Sequence, residues 1–208
     1  MGIAERKQLE KHARRQLILE SAAEIFHQKD FARATMEDIA ERAQIAVGTI
    51  YLYFKSKADI YFSLTKPALE KLSNRLMRIA DDIDSETDVK IKKIMYMLDD
   101  FYIRNRDAYY LITHTKVADY ANLFPEENLK SLNELMRTNL RQMEIVIEEG
   151  IRKGIYRSVN PYSGAVVFWS AFMGINLFQE NRLLPGKKDY RKATLDAFIE
   201  AMVAGLKK

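Results

Sequence analysis

The stretch TMEDIAERAQIAVGTIYLYFKSK, residues 35–57, decides the fold of this chain. Thr35 stands three positions before Asp38, which is the spacing of a helix N-terminal capping box with Asp in place of the usual Glu. Small and apolar residues then line one face of the helix: Ile39, Ala40 and Ala43. A turn and a second short helix reaching about Tyr53 follow. This order predicts a helix-turn-helix.

The second helix of this pair has an outward surface that is small and uncharged, and then aromatic. Small side chains let a backbone approach phosphates and base edges, and a Val or Thr methyl group can contact a thymine methyl group. Tyrosine hydroxyls and the following Lys55 and Lys57 suit phosphate oxygens. The outward residues are Ala46, Val47, Gly48, Thr49, Tyr51 and Tyr53, and Arg6, Lys7, Lys11, Arg14 and Arg15 could add contacts. The alternative is a helical hairpin that only packs.

Residues 14–60 resemble the DNA-binding signature of TetR-type transcriptional regulators. The matching residues are Ile18-Leu19, Ala22, Ile25-Phe26, Phe31, Thr35, Ile39-Ala40, Ala43 and Gly48 to Lys57. Gln44 and Asp30 stand where that family usually has Gly, and both are expected to adopt left-handed backbone. The resemblance implies that DNA is contacted by Thr35, Ala46, Val47, Gly48, Thr49, Tyr51, Tyr53 and Lys57.

Almost the whole chain is predicted to be helical, because it has only 8 Gly and 4 Pro and no stretch with period-two alternation. Ser56 is expected to cap the fourth helix, and Pro67 to kink or break it near residues 63–66. Predicted helices span about 6–28, 36–43, 46–53, 57–79, 86–104, 107–121, 126–153, 161–181 and 189–206, with breaks that include residues 184–186. We therefore predict an all-α protein of about nine helices. It has an N-terminal three-helix helix-turn-helix DNA-binding domain, residues 1–57, and a larger helical ligand-binding and dimerisation domain, residues 58–208.

The overall charge does not locate a DNA-binding surface. The chain has 33 Lys+Arg, 29 Asp+Glu and a formal net charge of +4. Residues 1–57 contribute half of this excess, and residues 58–208 contribute the other half. A DNA-binding interpretation therefore depends on individually placed residues.

Residues 158–179 contain no charged side chain. Their densest apolar part, residues 164–178, would rise about 22 Å as a helix, which is short of the ~30 Å hydrocarbon core of a bilayer. A buried helix is favoured over a membrane span. Because this helix is apolar nearly all round, we expect a partner subunit to cover one side of it. We predict a homodimer joined through residues 161–206; the alternative is the core of a monomer.

Aromatic side chains on the C-terminal helices predict a pocket for a small hydrophobic or amphipathic effector. The candidate lining residues are Tyr96, Met97, Phe101, Tyr102, Tyr109, Tyr110, His114, Phe168, Trp169 and Phe172. The competing interpretation for each of them is ordinary core packing.

No catalytic residue, metal site or cofactor is predicted. The chain has no Cys, no phosphate-binding Gly-rich motif and no HExxH, and its three His are scattered. We expect a cytoplasmic dimeric regulator, a repressor of a palindromic double-stranded DNA operator that a small effector releases. Two alternatives stay open: a ligand-independent DNA-binding dimer that acts through a protein partner or DNA architecture, and an enzyme with an added DNA-binding domain.

Overall fold

A computed structural model of the protein describes residues 2–114, 124–180 and 189–208. Every regular element in these ranges is helical, and one isolated antiparallel bridge joins Tyr156 to Lys207. The helices are α1 Ile3–Arg33, α2 Met36–Ala43, α3 Val47–Ile50, α4 Lys57–Ala80, α5 Thr87–Arg104, α6 Arg106–His114, α7 Glu126–Arg152, α8 Pro161–Glu180 and α9 Arg191–Leu206. The all-α prediction is confirmed. The predicted helical residues 115–121 and the break at residues 184–186 lie outside the described ranges.

The chain divides into two compact units. Unit 1 is Met1–Pro67 with His114–Leu132, and unit 2 is Ala68–Thr113 with Asn133–Lys208. Helix α4 has residues in both units and runs through Pro67 as one helix, so the break expected near residues 63–66 is absent. None of the helices within the described ranges is long and apolar enough to span a bilayer.

The first helix is longer than predicted, because it continues through Asp30 to Arg33. Its end is fixed by contacts that are distant in sequence. The Phe31 ring lies 4.7 Å from Tyr61 and 6.2 Å from Phe124, measured between ring centroids. Aromatic packing of this kind adds about 0.5–1.5 kcal/mol per pair beyond the area it buries. The expected stop with left-handed backbone at Asp30 is therefore wrong.

The predicted start and end of α2 are confirmed. Thr35 is the N-cap: the Asp38 backbone N–H donates to Thr35 Oγ1 over 3.1 Å, and the Thr35 N–H donates to Asp38 Oδ2 over 3.0 Å. Hydrogen bonds from Lys29 and from the Thr35 backbone hold the pKa of Asp38 below its usual value. Gln44 ends the helix with φ 54° and ψ 45°, the left-handed conformation expected for the turn. Regular helix in α3 ends at Ile50, before the predicted Tyr53.

Unit 2 has a tightly packed interior in which helices α7 and α8 cross closely. A Cβ atom at Gly164 would lie 2.9 Å from Ile147 Cδ1, so this glycine serves packing within the chain. Lys90, only 1% exposed, donates to Glu149 Oε2 over 2.7 Å and to the Ala80 carbonyl over 3.1 Å. Burial opposes ionisation of Glu149, but hydrogen bonds from Lys153 and Lys90 outweigh it and lower its pKa. The buried charges are thus paired.

The segment after α7 folds back on that helix through Tyr156, which is fully buried. The Tyr156 hydroxyl donates to Asp88 Oδ1 over 2.6 Å, and its backbone N–H donates to the Gly150 carbonyl over 3.1 Å. The ring lies directly on the Cα of Gly150. The segment around Tyr156 also holds residues 207–208 in place. Tyr156 forms the antiparallel bridge with Lys207, and the Lys207 ammonium forms a salt bridge with Asp88 at 2.7 Å.

Candidate nucleic-acid interface

Most of the residues predicted to contact DNA lie on one short segment, from the turn before α3 to the turn after it. Ala46, Gly48 and Tyr51 are exposed, and Val47, Thr49 and Tyr53 are half-buried. Thr35 is exposed at the start of α2. Ile50 is fully buried and anchors α3 in unit 1. The helix-turn-helix therefore presents a small, uncharged surface from a fixed support.

Gly48 has no structural need to be glycine. Its backbone is helical, and a Cβ atom built on it meets nothing within 4 Å. Gly in a helix interior is less stable than Ala by about 0.5–1 kcal/mol, so the residue weakens α3 without any packing benefit inside the chain. The absence of a side chain at Gly48 leaves space in which the edge of a base or a phosphate can come close to the backbone of α3.

Lys57 lies apart from this surface. Its ammonium donates to the carbonyls of Phe31 and Ala34, each over 2.6 Å, and lies 4.6 Å from the centroid of the Phe31 ring. Burial lowers the pKa of Lys57, and the Asp38 carboxylate acts in the opposite direction. Lys57 thus caps the carbonyl end of α1. Its predicted contact with phosphate remains a prediction.

We expect Lys57→Met to destabilise unit 1 by about 2 kcal/mol, because hydrogen bonds made by a charged group contribute about 1.5–3 kcal/mol. Lys55→Met is the matched control, since the exposed Lys55 ammonium is paired with Glu127 Oε1 at 2.7 Å. Urea unfolding followed by circular dichroism measures both variants. Equal unfolding midpoints for the two variants would contradict the capping role of Lys57.

The predicted effector-pocket residues do not line one common cavity in the described part of the chain, and their exposure differs widely. Tyr96 is exposed and donates to Asp196 Oδ1 over 2.9 Å. Met97, Tyr110 and Trp169 are half-buried, and the His114 side chain lies outside the described residues. The buried members are Phe101, Tyr102, Tyr109, Phe168 and Phe172. The cavity lined by Phe168, Trp169, Asn139 and neighbouring apolar side chains measures ≈ 10 Å³.

Two of the aromatic residues, Tyr102 and Tyr110, instead bind one carboxylate. Glu180 Oε1 accepts hydrogen bonds from the Tyr102 hydroxyl (2.7 Å), the Tyr110 hydroxyl (2.9 Å) and the Arg106 guanidinium (2.9 Å). Burial and the Glu180 carboxylate raise the pKa of Tyr102. We call these four residues the Glu180 cluster. The cluster joins α5, α6 and α8, with Tyr102 buried, Glu180 and Tyr110 half-buried and Arg106 exposed.

The sequence named the basic residues of α1 as possible additional contacts, but it did not identify two features of unit 1. Leu52, directly after α3, is 78% exposed. Gly2 to Leu17, which include the first four turns of α1, are exposed on all sides, whereas Ile18 is fully buried. Lys7, Lys11 and Arg14, which the sequence had already named, have a helical spacing that is the signal for one basic face there.

Comparison with known proteins identifies the segment that contains the helix-turn-helix as a DNA-binding domain of a known family. The family model described as "Bacterial regulatory proteins, tetR family" matches residues 18–64. The chain is 30% identical over 137 residues to a fatty acid metabolism regulator protein of Bacillus subtilis, covering 66% of this chain and 68% of that one. It is also 30% identical over 146 residues to the nucleoid occlusion factor SlmA of Vibrio campbellii, covering 68% and 70%.

A solved structure shares the fold over nearly the whole chain. The regulator FadR from Bacillus subtilis, solved in complex with stearoyl-CoA, has a TM-score of 0.67 at 19% identity, covering 92% of this chain and 98% of that one. The sequence resemblance, the capped helix-turn-helix and the family match all agree. The chain belongs to the tetR family of bacterial regulatory proteins, and it is a DNA-binding transcriptional regulator and not an enzyme.

Proposed function

We propose that the protein is a homodimeric repressor that binds a palindromic operator through residues 1–57 and releases it when residues 58–208 bind a small amphipathic effector. The observation that supports DNA binding is the exposed, uncharged segment around Gly48. A Cβ atom built on Gly48 meets no other described atom within 4 Å, so its backbone is open to close approach. In the proposed interface, Thr35, Ala46, Val47, Gly48, Thr49, Tyr51 and Tyr53 contact DNA, and Lys57 holds α1 and α4 together behind them. Two recognition helices then enter successive major grooves about 34–36 Å apart.

The exposed apolar face of α8 supports the dimer. Ala165, Phe168, Phe172 and Asn176 form its buried face, whereas Leu177 and Phe178 are 56% and 67% exposed in the single chain. Helix α9 presents small exposed residues: Ala193, Ala197, Ala201, Ala204 and Gly205. Small residues allow two helices to approach closely, so α8 and α9 of each subunit can pair across a two-fold axis.

The effector is proposed to be an acyl-chain-bearing molecule with a polar end. The fatty acid metabolism regulator relative and the stearoyl-CoA complex of FadR support this chemistry. Aromatic rings around Phe172 suit a lipophilic chain, and the Glu180 cluster suits its polar end. Asn176 is buried, and its Oδ1 atom has no hydrogen-bond partner among the described residues, which leaves an acceptor for a ligand hydroxyl or amide.

Helix α4 is the proposed link from effector to DNA, because it has residues in both units. To change a population from mostly DNA-competent to mostly incompetent, the effector must prefer the incompetent state by about 10⁴-fold.

A second candidate function is a ligand-independent DNA-binding dimer that acts through a protein partner or DNA architecture. The observation in its favour is that the cavity beside Phe168 and Trp169 measures ≈ 10 Å³ and has no room for an acyl chain without rearrangement; the larger space of ≈ 420 Å³ is an open groove on the faces of α8 and α9 proposed for the dimer. The nucleoid occlusion factor relative supports it from sequence.

Native mass spectrometry of the purified protein tests the dimer and the effector together. We expect twice the chain mass with a lipophilic adduct, and release of a selected operator when that adduct is added in excess. A dimer without adduct that keeps its operator after addition of oleoyl- and stearoyl-CoA would support the ligand-independent function. A stable folded monomer at micromolar concentration would refute the proposed dimer.

A further inference from the structure

The first part of α1 is a helix that projects from unit 1 without burying any side chain. Residues 2–17 are all exposed, and burial begins at Ile18. An exposed helix of this kind gains little from packing. Its side chains are therefore available to a partner. We call residues 3–17 the arm.

The five basic residues of the arm fall into two groups. Arg6 is paired with Glu10 at 3.0 Å. Arg15 lies 4.7 Å from the centroid of the Phe54 ring and donates to Ser63 Oγ over 3.1 Å, so it anchors the arm to unit 1. The remaining three are Lys7, Lys11 and Arg14. Among the described residues, no carboxylate lies within ion-pair distance of these three, and their spacing of four and three places them on one helix face.

That face lines a groove of ≈ 670 Å³. One wall is the arm, with Lys7, Lys11, Arg14 and Glu10, whose carboxylate is paired with Arg6, and the other is the segment after α3, with Leu52 and Tyr53. Leu17 and Ala13 complete its apolar lining. The groove therefore combines apolar surface with three cations that have no ion-pair partner among the described residues and one carboxylate that Arg6 neutralises, directly beside the proposed recognition helix.

We propose that this groove holds one sugar–phosphate strand of duplex DNA, the strand that borders the major groove entered by α3. This inference rests on the proposed DNA interface and extends it to residues outside the helix-turn-helix. Lys7, Lys11 and Arg14 bind consecutive phosphates, and Leu52 packs on deoxyribose. Lys7, Lys11 and Arg14 leave the arm within about 10.5 Å of helix rise, and their long, flexible side chains bring the three charges onto neighbouring phosphates of one strand.

Such contacts are independent of base sequence and add to the salt dependence of binding. Each phosphate neutralised contributes about 0.9 to the slope of log K against log salt concentration. Replacing Lys7, Lys11 and Arg14 together by Gln is therefore expected to flatten the slope by about 2.7 for each bound subunit.

Fluorescence anisotropy with a labelled 40-bp duplex selected from a random-sequence pool, between about 50 and 200 mM salt, measures the slope. The single variant Arg6→Gln removes one arm charge that is already paired. The triple variant Lys71→Gln/Arg78→Gln/Lys92→Gln removes three exposed charges from unit 2 and controls for net charge. Circular dichroism confirms that each variant is folded.

A flatter slope for the arm triple, with little change for Arg6→Gln and the unit 2 triple, supports the groove. An unchanged slope for the arm triple, or equal flattening by the unit 2 triple, overturns it while the proposed DNA interface stands. If the wild-type chain binds no duplex at any salt concentration, both proposals are wrong.

Discussion

Replacing Gly48 by glutamate is expected to weaken operator binding by at least about 100-fold while the protein stays folded. A Cβ atom at this position meets no atom of the described residues within 4 Å, so the new side chain has room and α3 loses a helix-weakening glycine. In the complex, the carboxylate faces phosphates and base edges across a close contact. Like charges brought together at an interface cost several kcal/mol, and about 1.4 kcal/mol corresponds to a factor of ten.

Anisotropy titration of the selected operator measures this loss, and thermal unfolding confirms the fold. Asn74→Glu, at an exposed position of α4 in unit 2, adds the same charge and is expected to leave the affinity nearly unchanged. Wild-type affinity for Gly48→Glu would place the DNA contact elsewhere in the chain.

Replacing Gly150 by alanine is expected to give the largest loss of stability, about 3 kcal/mol, the upper end of the usual cost of overpacking. The added Cβ would lie 2.2 Å from Tyr156 Cδ2 and 2.4 Å from Cε2. A small shift of the Tyr156 ring does not relieve this clash, because the side chain is fully buried and its hydroxyl is hydrogen-bonded to Asp88. Either α7 shifts or the Tyr156 ring is expelled, and the second outcome also breaks the bridge to Lys207.

Differential scanning calorimetry is expected to show the melting temperature of Gly150→Ala lowered by roughly 6–12 °C, since 1 kcal/mol corresponds to about 2–4 °C for a chain of this size. Gly48→Ala is the matched control: it makes the same change where the added Cβ has open space, and it should stabilise slightly. An unchanged melting temperature for Gly150→Ala would contradict the packing of Tyr156 on α7.

Local sequence signals predicted the helix-turn-helix accurately because the interactions that define it are themselves local. The capping box joins residues three positions apart, and the left-handed turn at Gln44 is set by the two helices on either side of it. The bounds of α5, α7, α8 and α9 were also predicted to within about two residues. Their apolar periodicity and the flanking Asn, Pro and Gly are sufficient signals.

Features set by long-range contacts were not predictable in this way. The end of α1 depends on Lys57, which lies 23 residues beyond the Ala34 carbonyl that it caps. The sequence pattern of a lysine that follows a recognition helix is the same whether its ammonium points outward to a phosphate or inward to a carbonyl. The aromatic residues of α5, α6 and α8 have one periodicity whether they line a cavity or fill a core, so sequence could not separate Tyr96 at the surface from Phe172 inside.

The exposed arm also affects the thermodynamics of DNA recognition. Isolated helices shorter than about 12–15 residues are marginal in water, and no side chain from Ile3 to Arg14 is buried. We therefore expect the first turns of the free arm to fray and DNA binding to hold them as the helix Ile3–Arg33. This ordering is an entropic cost that grows with temperature. Operator affinity should therefore fall on warming more steeply than the number of phosphate contacts alone implies.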